Sequence, residues 1–147
     1  MFALGVARSH AAPSIIGGFS YQETVRTDCS AKARCGVPFT AVPAGKTVSV
    51  GYVGCNIYAQ GTGSDTLVLT SAEFSTSTAS SATNTFVPVP VQLMGNRSTG
   101  PSRYWAFNPP TRVVMEGGPN RTFAVTADFS KNFVKVNLEC WISGTIS

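Results

Sequence analysis

Arginine and aromatic side chains cluster between residues 96 and 121, and they are the most chemically suggestive group in the chain. The cluster comprises Arg97, Arg103, Tyr104, Trp105, Phe107, Arg112 and Arg121. Arginine donates paired hydrogen bonds to anionic groups, and aromatic rings offer flat apolar surfaces that carry, in Tyr and Trp, a polar atom. Such a mixture suits sugars or anionic polymers. We therefore predict a binding surface made by Arg97, Arg103, Tyr104, Trp105, Arg112, Arg121 and Trp141.

The alternative role for these aromatic residues is packing in a core. Successive side chains of a strand point to opposite faces, so at least one of Tyr104 and Trp105 is expected to be buried. Trp141 follows Cys140, which lies on an apolar face, so Trp141 is expected to point outward. An outward tryptophan indicates an interaction site when it joins an apolar patch.

The residues that most enzymes need for catalysis do not form a recognisable set. A nucleophilic Ser or Cys needs a base, usually histidine, and the one histidine, His10, lies in the N-terminal tail. Glycoside hydrolysis needs two carboxylates at a fixed separation, and the seven acidic residues are scattered. Gly117-Gly118 precedes neither a helix pattern nor Lys-Ser/Thr, so it indicates a turn and not a phosphate loop. We expect a protein that is not an enzyme.

No metal, cofactor, nucleic acid or membrane span is expected. The cysteines lack the CxxC or Cys/His spacing of zinc sites, and Asp65 alone is a weak indication of calcium, which takes several oxygen ligands. The net charge of +4 is dispersed, without the basic stripe of nucleic-acid binding proteins, although it is compatible with anionic envelope polymers. No apolar run is long enough for a membrane-spanning helix.

Four cysteines suggest two disulfides in an exported chain, with three connectivities open. Cys29 and Cys35 are close together in a polar segment, and we predict that they pair and pin a loop before the first core strand. Cys55 and Cys140 lie on the apolar faces of two predicted strands, and we predict a second bridge that joins the first and last core strands. The alternative is that Cys55 and Cys140 are free, buried thiols.

Short apolar runs separated by Gly, Pro, Ser and Asn follow from Thr40 onward, which is typical of antiparallel strands joined by turns. A change of apolar parity near Gly51 or Gly54 predicts a bulge, with Tyr52 grouped on the face of Val48. Prolines place segment 85–93 at a sheet edge, and the Ser/Thr-rich segment 75–84 predicts a surface loop or weak edge. Strands are predicted over 47–58, 66–70, 85–93, 103–107, 111–115, 121–128 and 134–146.

This pattern, with no helical period, predicts one all-β domain over residues 14–147. The expected fold is an antiparallel β-sandwich, jelly-roll-like, of about seven to eight strands stapled by disulfides, and a closed barrel is the alternative. Residues 1–13 combine a short apolar run with small residues near Ala11 and Ala12, but no charged residue precedes that run. They are expected to be the remnant of a signal peptide or a disordered tail. The expected location is secreted or periplasmic.

The chain from Phe39 to Ser147 resembles small exported bacterial proteins of unassigned function. The motifs that carry this resemblance are Val42-Pro-Ala-Gly-Lys46, the Val-rich strand that ends in Cys55, Phe86-Val-Pro88, Asn108-Pro-Pro-Thr-Arg-Val-Val114 and Cys140-Trp-Ile-Ser-Gly144. The resemblance implies a β-sandwich and export, and it implies no catalytic residue.

These observations favour a non-catalytic, exported binding module that recognises a glycan or an anionic envelope polymer. The first alternative is a structural subunit that assembles with itself in a virion, an appendage or a surface layer. It is suggested by the proline-bearing edge strand, the Ser/Thr-rich loop and the outward Trp141. A jelly-roll hydrolase is the second alternative.

Overall fold

The structure is a computed structural model that describes residues 8–10, 12–16, 19–61, 67–77, 86–88, 92–95, 102–118 and 120–147. The regular elements among these residues are all strands, and none is a helix that could span a membrane. The strands are β1 (Arg8–His10), β2 (Ser14–Ile16), β3 (Ser20–Ser30), β4 (Arg34–Pro38), β5 (Thr47–Gln60), β6 (Leu69–Ser77), β7 (Phe86–Pro88), β8 (Gln92–Gly95), β9 (Ser102–Phe107), β10 (Pro110–Glu116), β11 (Thr122–Phe129) and β12 (Lys135–Ile146).

The described strands form two antiparallel sheets. The larger sheet has eight strands in the order β1-β3-β12-β5-β9-β8, with β2 also paired to β3 and β10 to β5, and the smaller sheet has the order β4-β11-β6-β7. The pairings are nested, because β3 pairs with β12, β4 with β11, β5 with β9 and β10, and β6 with β7. This nesting arises when a long hairpin rolls up so that its first strand pairs with its last. It is the arrangement of a jelly roll. The predicted β-sandwich is confirmed.

Two strands that the sequence did not reveal, β3 and β4, precede the first predicted strand. In β3 the inward positions alternate apolar and polar residues, since Glu23 and Thr27 are buried beside Tyr21 and Val25. Two polar residues on the inner face hide the apolar period that marks a strand. The twelve described strands exceed the seven or eight predicted, because β1 and β2 were not predicted either and the predicted segment 85–93 is divided between β7 and β8.

Two other segments differ from their predictions. The strand predicted over 66–70 begins at Leu69 and continues to Ser77, between β11 and β7. The surface loop or weak edge predicted over 75–84 was therefore wrong for residues 75–77, and residues 78–84 lie outside the described residues. The inner face of β6 carries Ala72, Phe74 and Thr76, only one of which is large and apolar. The proline-bearing segment 85–93 does lie at an edge, but at two edges. Its first part is β7, at the margin of the smaller sheet, and its last part belongs to β8, at the margin of the larger one.

The bulge predicted near Gly51 or Gly54 is at Gly51. Ser143 and Gly144 of β12 pair with Tyr52 and Val50, so Gly51 is left without a partner in β12. On β12 the predicted inward face is correct from Val136 onward, whereas Val134 was placed on it wrongly. Val134 lies before the strand and is 45% exposed.

The core lies between the two sheets. Phe74 and Phe123 of the smaller sheet stack with ring centroids 5.5 Å apart, and Phe129 meets Trp105 and Phe133 edge-on. Burying each such ring contributes about 1.5–3 kcal/mol.

Both predicted disulfides are present, and the structure corrects where they lie. Cys29–Cys35 joins the end of β3 to β4, so it links the two sheets and does not pin a loop before the first core strand. Cys55 and Cys140 stand directly opposite each other on the neighbouring strands β5 and β12, with 4.0 Å between their Cα atoms. The predicted proximity of these strands is confirmed, although β5 is preceded by β3 and β4.

The N-terminal segment contributes two short strands. Both Arg8–His10 and Ser14–Ile16 pair with β3. Residues 1–7 and 11 lie outside the described residues, and the leader over residues 1–13 stays a prediction.

Candidate functional site

Four aromatic side chains of the described residues lie on the outer face of the larger sheet, which we call the aromatic face. It consists of Tyr52, Tyr58, Tyr104 and Trp141 with the polar residues between and beside them. Strand alternation puts these side chains outside, because their neighbours Val53, Ile57, Trp105, Cys140 and Ile142 are all buried in the core. Solvent faces of sheets are normally polar, so a group of four aromatic residues there requires an explanation.

Trp141 lies at the centre of this face because the residue opposite it is glycine. In the pairing of β12 with β5, Trp141 stands directly opposite Gly54. A Cβ atom at Gly54 would lie 2.3 Å from both Cε2 and Cζ2 of the indole and 2.6 Å from its Nε1. The indole therefore lies over the glycine and buries it, while Trp141 itself stays half-exposed.

Tyr58 and Tyr104 form a second aromatic group further along β5. They are directly opposite each other on β5 and β9, and their ring centroids are 4.8 Å apart with an interplanar angle of 46°. Tyr104 is 36% exposed. Because the two rings support each other, they present a fixed aromatic surface to solvent.

Hydrogen-bonding side chains lie between and beside the two aromatic groups. The Asn137 side-chain amide donates to Asp28 Oδ1 at 2.6 Å, and this pair lies in the same row of the sheet as Tyr58. Glu139 stands opposite Asn56 in the row between Tyr58 and Trp141. Carboxylate and amide groups thus alternate with aromatic rings across the face.

Two shallow depressions lie along one row of the sheet, on either side of Ser143 and Tyr52. One, of about 450 Å³, is lined by Gly51, Tyr52, Pro110, Thr111 and Arg112. The other, of about 260 Å³, lies beside Trp141 and includes Gln22 and Ser143. Tyr52, which is 52% exposed, lies between them, so the aromatic face has a depression on each side of this tyrosine.

The structure brings together three of the seven residues predicted to bind, namely Tyr104, Arg112 and Trp141. Arg103 and Trp105 leave β9 on the other side from Tyr104, and Trp105 is 7% exposed, which corresponds to the core alternative. Arg121 lies in the turn before β11, where its Nη1 donates to the Glu116 carbonyl at 3.1 Å.

Arg97 lies outside the described residues, and Phe107 is buried. Sequence reasoning missed Tyr52 and Tyr58. Tyr52 was grouped with buried Val48, but the bulge at Gly51 turns it outward. The signal that could have revealed both is the change of apolar parity along β5, which puts residues 52 and 58 on the opposite face from the buried valines.

Two polar clusters elsewhere in the molecule have structural roles. Glu23, buried in β3, accepts hydrogen bonds from the Tyr21 hydroxyl at 2.7 Å and from the N–H and hydroxyl of Thr40 at 2.8 and 2.7 Å. Burial, and then the hydrogen bond to Glu23 and its charge, raise the pKa of Tyr21 well above its usual range. On the outer face of the smaller sheet, hydrogen bonds from Arg34 lower the pKa of Asp128.

Among the described residues, no three His, Cys, Asp or Glu side chains lie together as a metal site would require. No protein-family model, curated protein or solved structure matches this chain. The resemblance to small exported bacterial proteins therefore stays a prediction, and the function has to be inferred from the geometry of the aromatic face.

Proposed function

We propose that this protein is an exported, non-catalytic module that binds a glycan along the aromatic face. The observation that carries the proposal is the position of Trp141, whose indole lies over Gly54, between Tyr52 on one side and the Tyr58–Tyr104 pair on the other. A ring supported from below by the backbone of a sheet presents its other side to solvent in a fixed orientation. Such a ring binds the apolar face of a sugar with little loss of conformational entropy.

The dimensions of the face favour an oligosaccharide over a single sugar. Tyr52 and Tyr58 are six positions apart on β5, which corresponds to about 20 Å along a strand. Trp141 lies between them, and Asn56 and Glu139 provide hydrogen-bonding groups for sugar hydroxyls in the interval. The spacing of stacking and hydrogen-bonding groups fits a chain of sugars that runs along β5.

Carboxylates interrupt the positive charges on the face, which suits a neutral glycan better than an anionic polymer. Arg26 stands directly opposite Glu139, and the exposed Lys135 and Arg112 lie at the margins on β12 and β10. Asp28 and Glu139 place carboxylates near the centre. A polyanion along the same path would approach these carboxylates, and like charges repel each other.

Export is supported by the two disulfides, since such bridges persist in oxidising compartments such as the periplasm and the extracellular space. Jelly rolls include many lectin domains, which supports the proposal only by analogy of fold.

The proposal is tested with a glycan array followed by calorimetric titration of the best oligosaccharide. Lipopolysaccharide and peptidoglycan fragments serve as the anionic arm. We expect binding to a neutral oligosaccharide that weakens at least tenfold in Trp141→Ala and in Tyr104→Ala, with no release of reducing ends on long incubation.

Phe19→Ala is the matched control, because Phe19 is an aromatic residue that is 73% exposed in the segment before β3. Binding only to lipopolysaccharide or peptidoglycan fragments would show that the ligand is an anionic polymer and not a neutral glycan. Failure to bind any polymer, or equal loss in the control variant, would reject the aromatic face as the site.

A further inference from the structure

The strand β10 offers one edge whose backbone groups point away from the sheet. In the described part of the chain its only strand partner is β5. The Gly117 N–H donates to the Lys46 carbonyl at 2.6 Å, and the register then directs the backbone groups of Val113 and Met115 toward β5. Those of Val114 and Glu116 consequently face outward. Arg112 precedes Val113 in the register shift between Pro110 and Val113, where it has no partner residue in β5.

The hydrogen bond of Arg121 supports this assignment independently. Its Nη1 donates to the carbonyl oxygen of Glu116 at 3.1 Å, so that oxygen is not engaged with β5. The side chains of Arg112, Val114 and Glu116 are all exposed, and Val114 is 61% exposed. A long, open edge with an exposed valine at its middle is a template for pairing with another strand.

We propose that β10 pairs with β10 of a second copy of this chain, antiparallel, about a two-fold axis at Val114. In that register Arg112 of each copy stands opposite Glu116 of the other, and the two Val114 side chains meet. In the same register the Val114 backbone groups of the two copies bond to each other, and the Glu116 carbonyl uses its second lone pair for the Arg112 N–H of the other copy, beside the bond from Arg121. The edge is therefore complementary to itself in charge, side-chain shape and backbone direction.

Charge selects this register over its neighbours. Centring the axis on Arg112 would oppose two arginines, and centring it on Glu116 would oppose two glutamates, both of which are unfavourable. The ion pair between Arg34 and Asp128 involves neither Arg112 nor Glu116, and these two side chains form no ion pair with each other in the single copy.

The dimer would be weak and concentration-dependent. One strand edge buries less area than the roughly 1,200–2,000 Å² of a stable complex. Two-fold pairing would join the two larger sheets into one and place both aromatic faces on the same side. The proposal does not depend on glycan binding, but a dimer would present two such sites to one polymer.

A charge-swap series tests the register by sedimentation velocity up to millimolar protein. Arg112→Glu and Glu116→Arg each place like charges opposite each other twice per dimer, and we expect each to weaken dimerisation about tenfold. The double variant R112E/E116R restores opposite charges and should return to within about threefold of the original protein. A monomer at every concentration, or a double variant no better than the single ones, would overturn the proposal.

A cysteine variant tests the axis itself. Opposed residues in a hydrogen-bonded antiparallel pair have Cα atoms about 5.5 Å apart, within the range of a disulfide. Val114→Cys should therefore form a covalent dimer on oxidation, whereas Val134→Cys, also at an exposed valine, should not. Equal crosslinking of the two variants, with circular dichroism showing both folded, would contradict a two-fold axis at Val114.

Discussion

Replacing Gly54 by alanine should displace Trp141 and abolish the central element of the aromatic face. The added Cβ would lie 2.3 Å from two indole carbons, whereas ordinary contacts begin near 3.4 Å, so the ring has to move by at least about 1 Å. Gly54 pairs with Trp141 on β12, and on its other side it lies between the pair Tyr52–Pro110 and the pair Cys55–Phe107, which hold its backbone in place. The half-exposed indole moves instead and loses its support.

The change in the free energy of unfolding follows from two opposing contributions. Alanine restricts the unfolded chain more than glycine, which favours the variant by about 0.5–1 kcal/mol. Overpacking and loss of the contact between the indole and the strand cost about 1–3 kcal/mol. We expect a modest net destabilisation and, because the stacking platform is displaced, at least a tenfold loss of glycan affinity.

Gly36→Ala is the matched control for Gly54→Ala. Gly36 also lies within a strand, and a Cβ there would meet its nearest atom, Thr126 Oγ1, at an ordinary 3.5 Å. The assay uses a Trp105→Phe background, in which Trp141 is the single tryptophan and reports its own environment by fluorescence. A Gly54→Ala protein with the emission spectrum and affinity of the Gly36→Ala protein would refute the argument that Gly54 positions the indole.

Three further predictions concern stability. Removing the bridge in the double variant Cys55→Ala/Cys140→Ala, whose cysteines are 85 positions apart, should cost about 4–5 kcal/mol in urea unfolding, because the unfolded chain regains the entropy of a long loop. The pKa of Tyr21 is raised in the fold, so its contribution to the free energy of unfolding is complete below the usual tyrosine pKa of about 10 and declines at higher pH. In Tyr21→Phe the slope of unfolding free energy between pH 10 and 11.5 should be smaller, and an unchanged slope would contradict this. The pKa of Asp128 is lowered by hydrogen bonds from Arg34. Its contribution to the free energy of unfolding is therefore present above about pH 4 and is lost as the pH falls through the lowered pKa. Because Arg34 is 69% exposed, Asp128→Asn should cost under about 1 kcal/mol at pH 6, with the difference from the original protein vanishing in acid.

Local periodicity was sufficient to predict the strands whose inner faces are wholly apolar. In β12 Val136, Leu138, Cys140 and Ile142 alternate with polar residues, and both the strand and its buried face follow from that alternation. The disulfide between β5 and β12 followed as well, because two cysteines on apolar faces of separate strands have few other partners.

Periodicity failed where a polar residue is buried through a distant partner. Glu23 is 3% exposed because Thr40, on the segment after β4, supplies two hydrogen bonds to its carboxylate. A contact between residues 17 positions apart leaves no trace in an alternation pattern. The aromatic face was predicted only in part for a related reason, because its centre depends on Trp141 meeting Gly54, and the register of distant strands decides that meeting.

The disulfide and the aromatic face are consequences of the same register. Cys55 adjoins Gly54 on β5 and Cys140 adjoins Trp141 on β12, so the bridge fixes on the core side the pairing that places the indole over glycine on the outer side. A slip of one residue would exchange the two faces of β12 and turn Trp141 into the core. Because β5 and β12 are far apart in the sequence, no turn fixes their register, and a covalent bond at the next pair provides the most direct constraint. We therefore infer that the bridge maintains the position of Trp141 in addition to stabilising the fold.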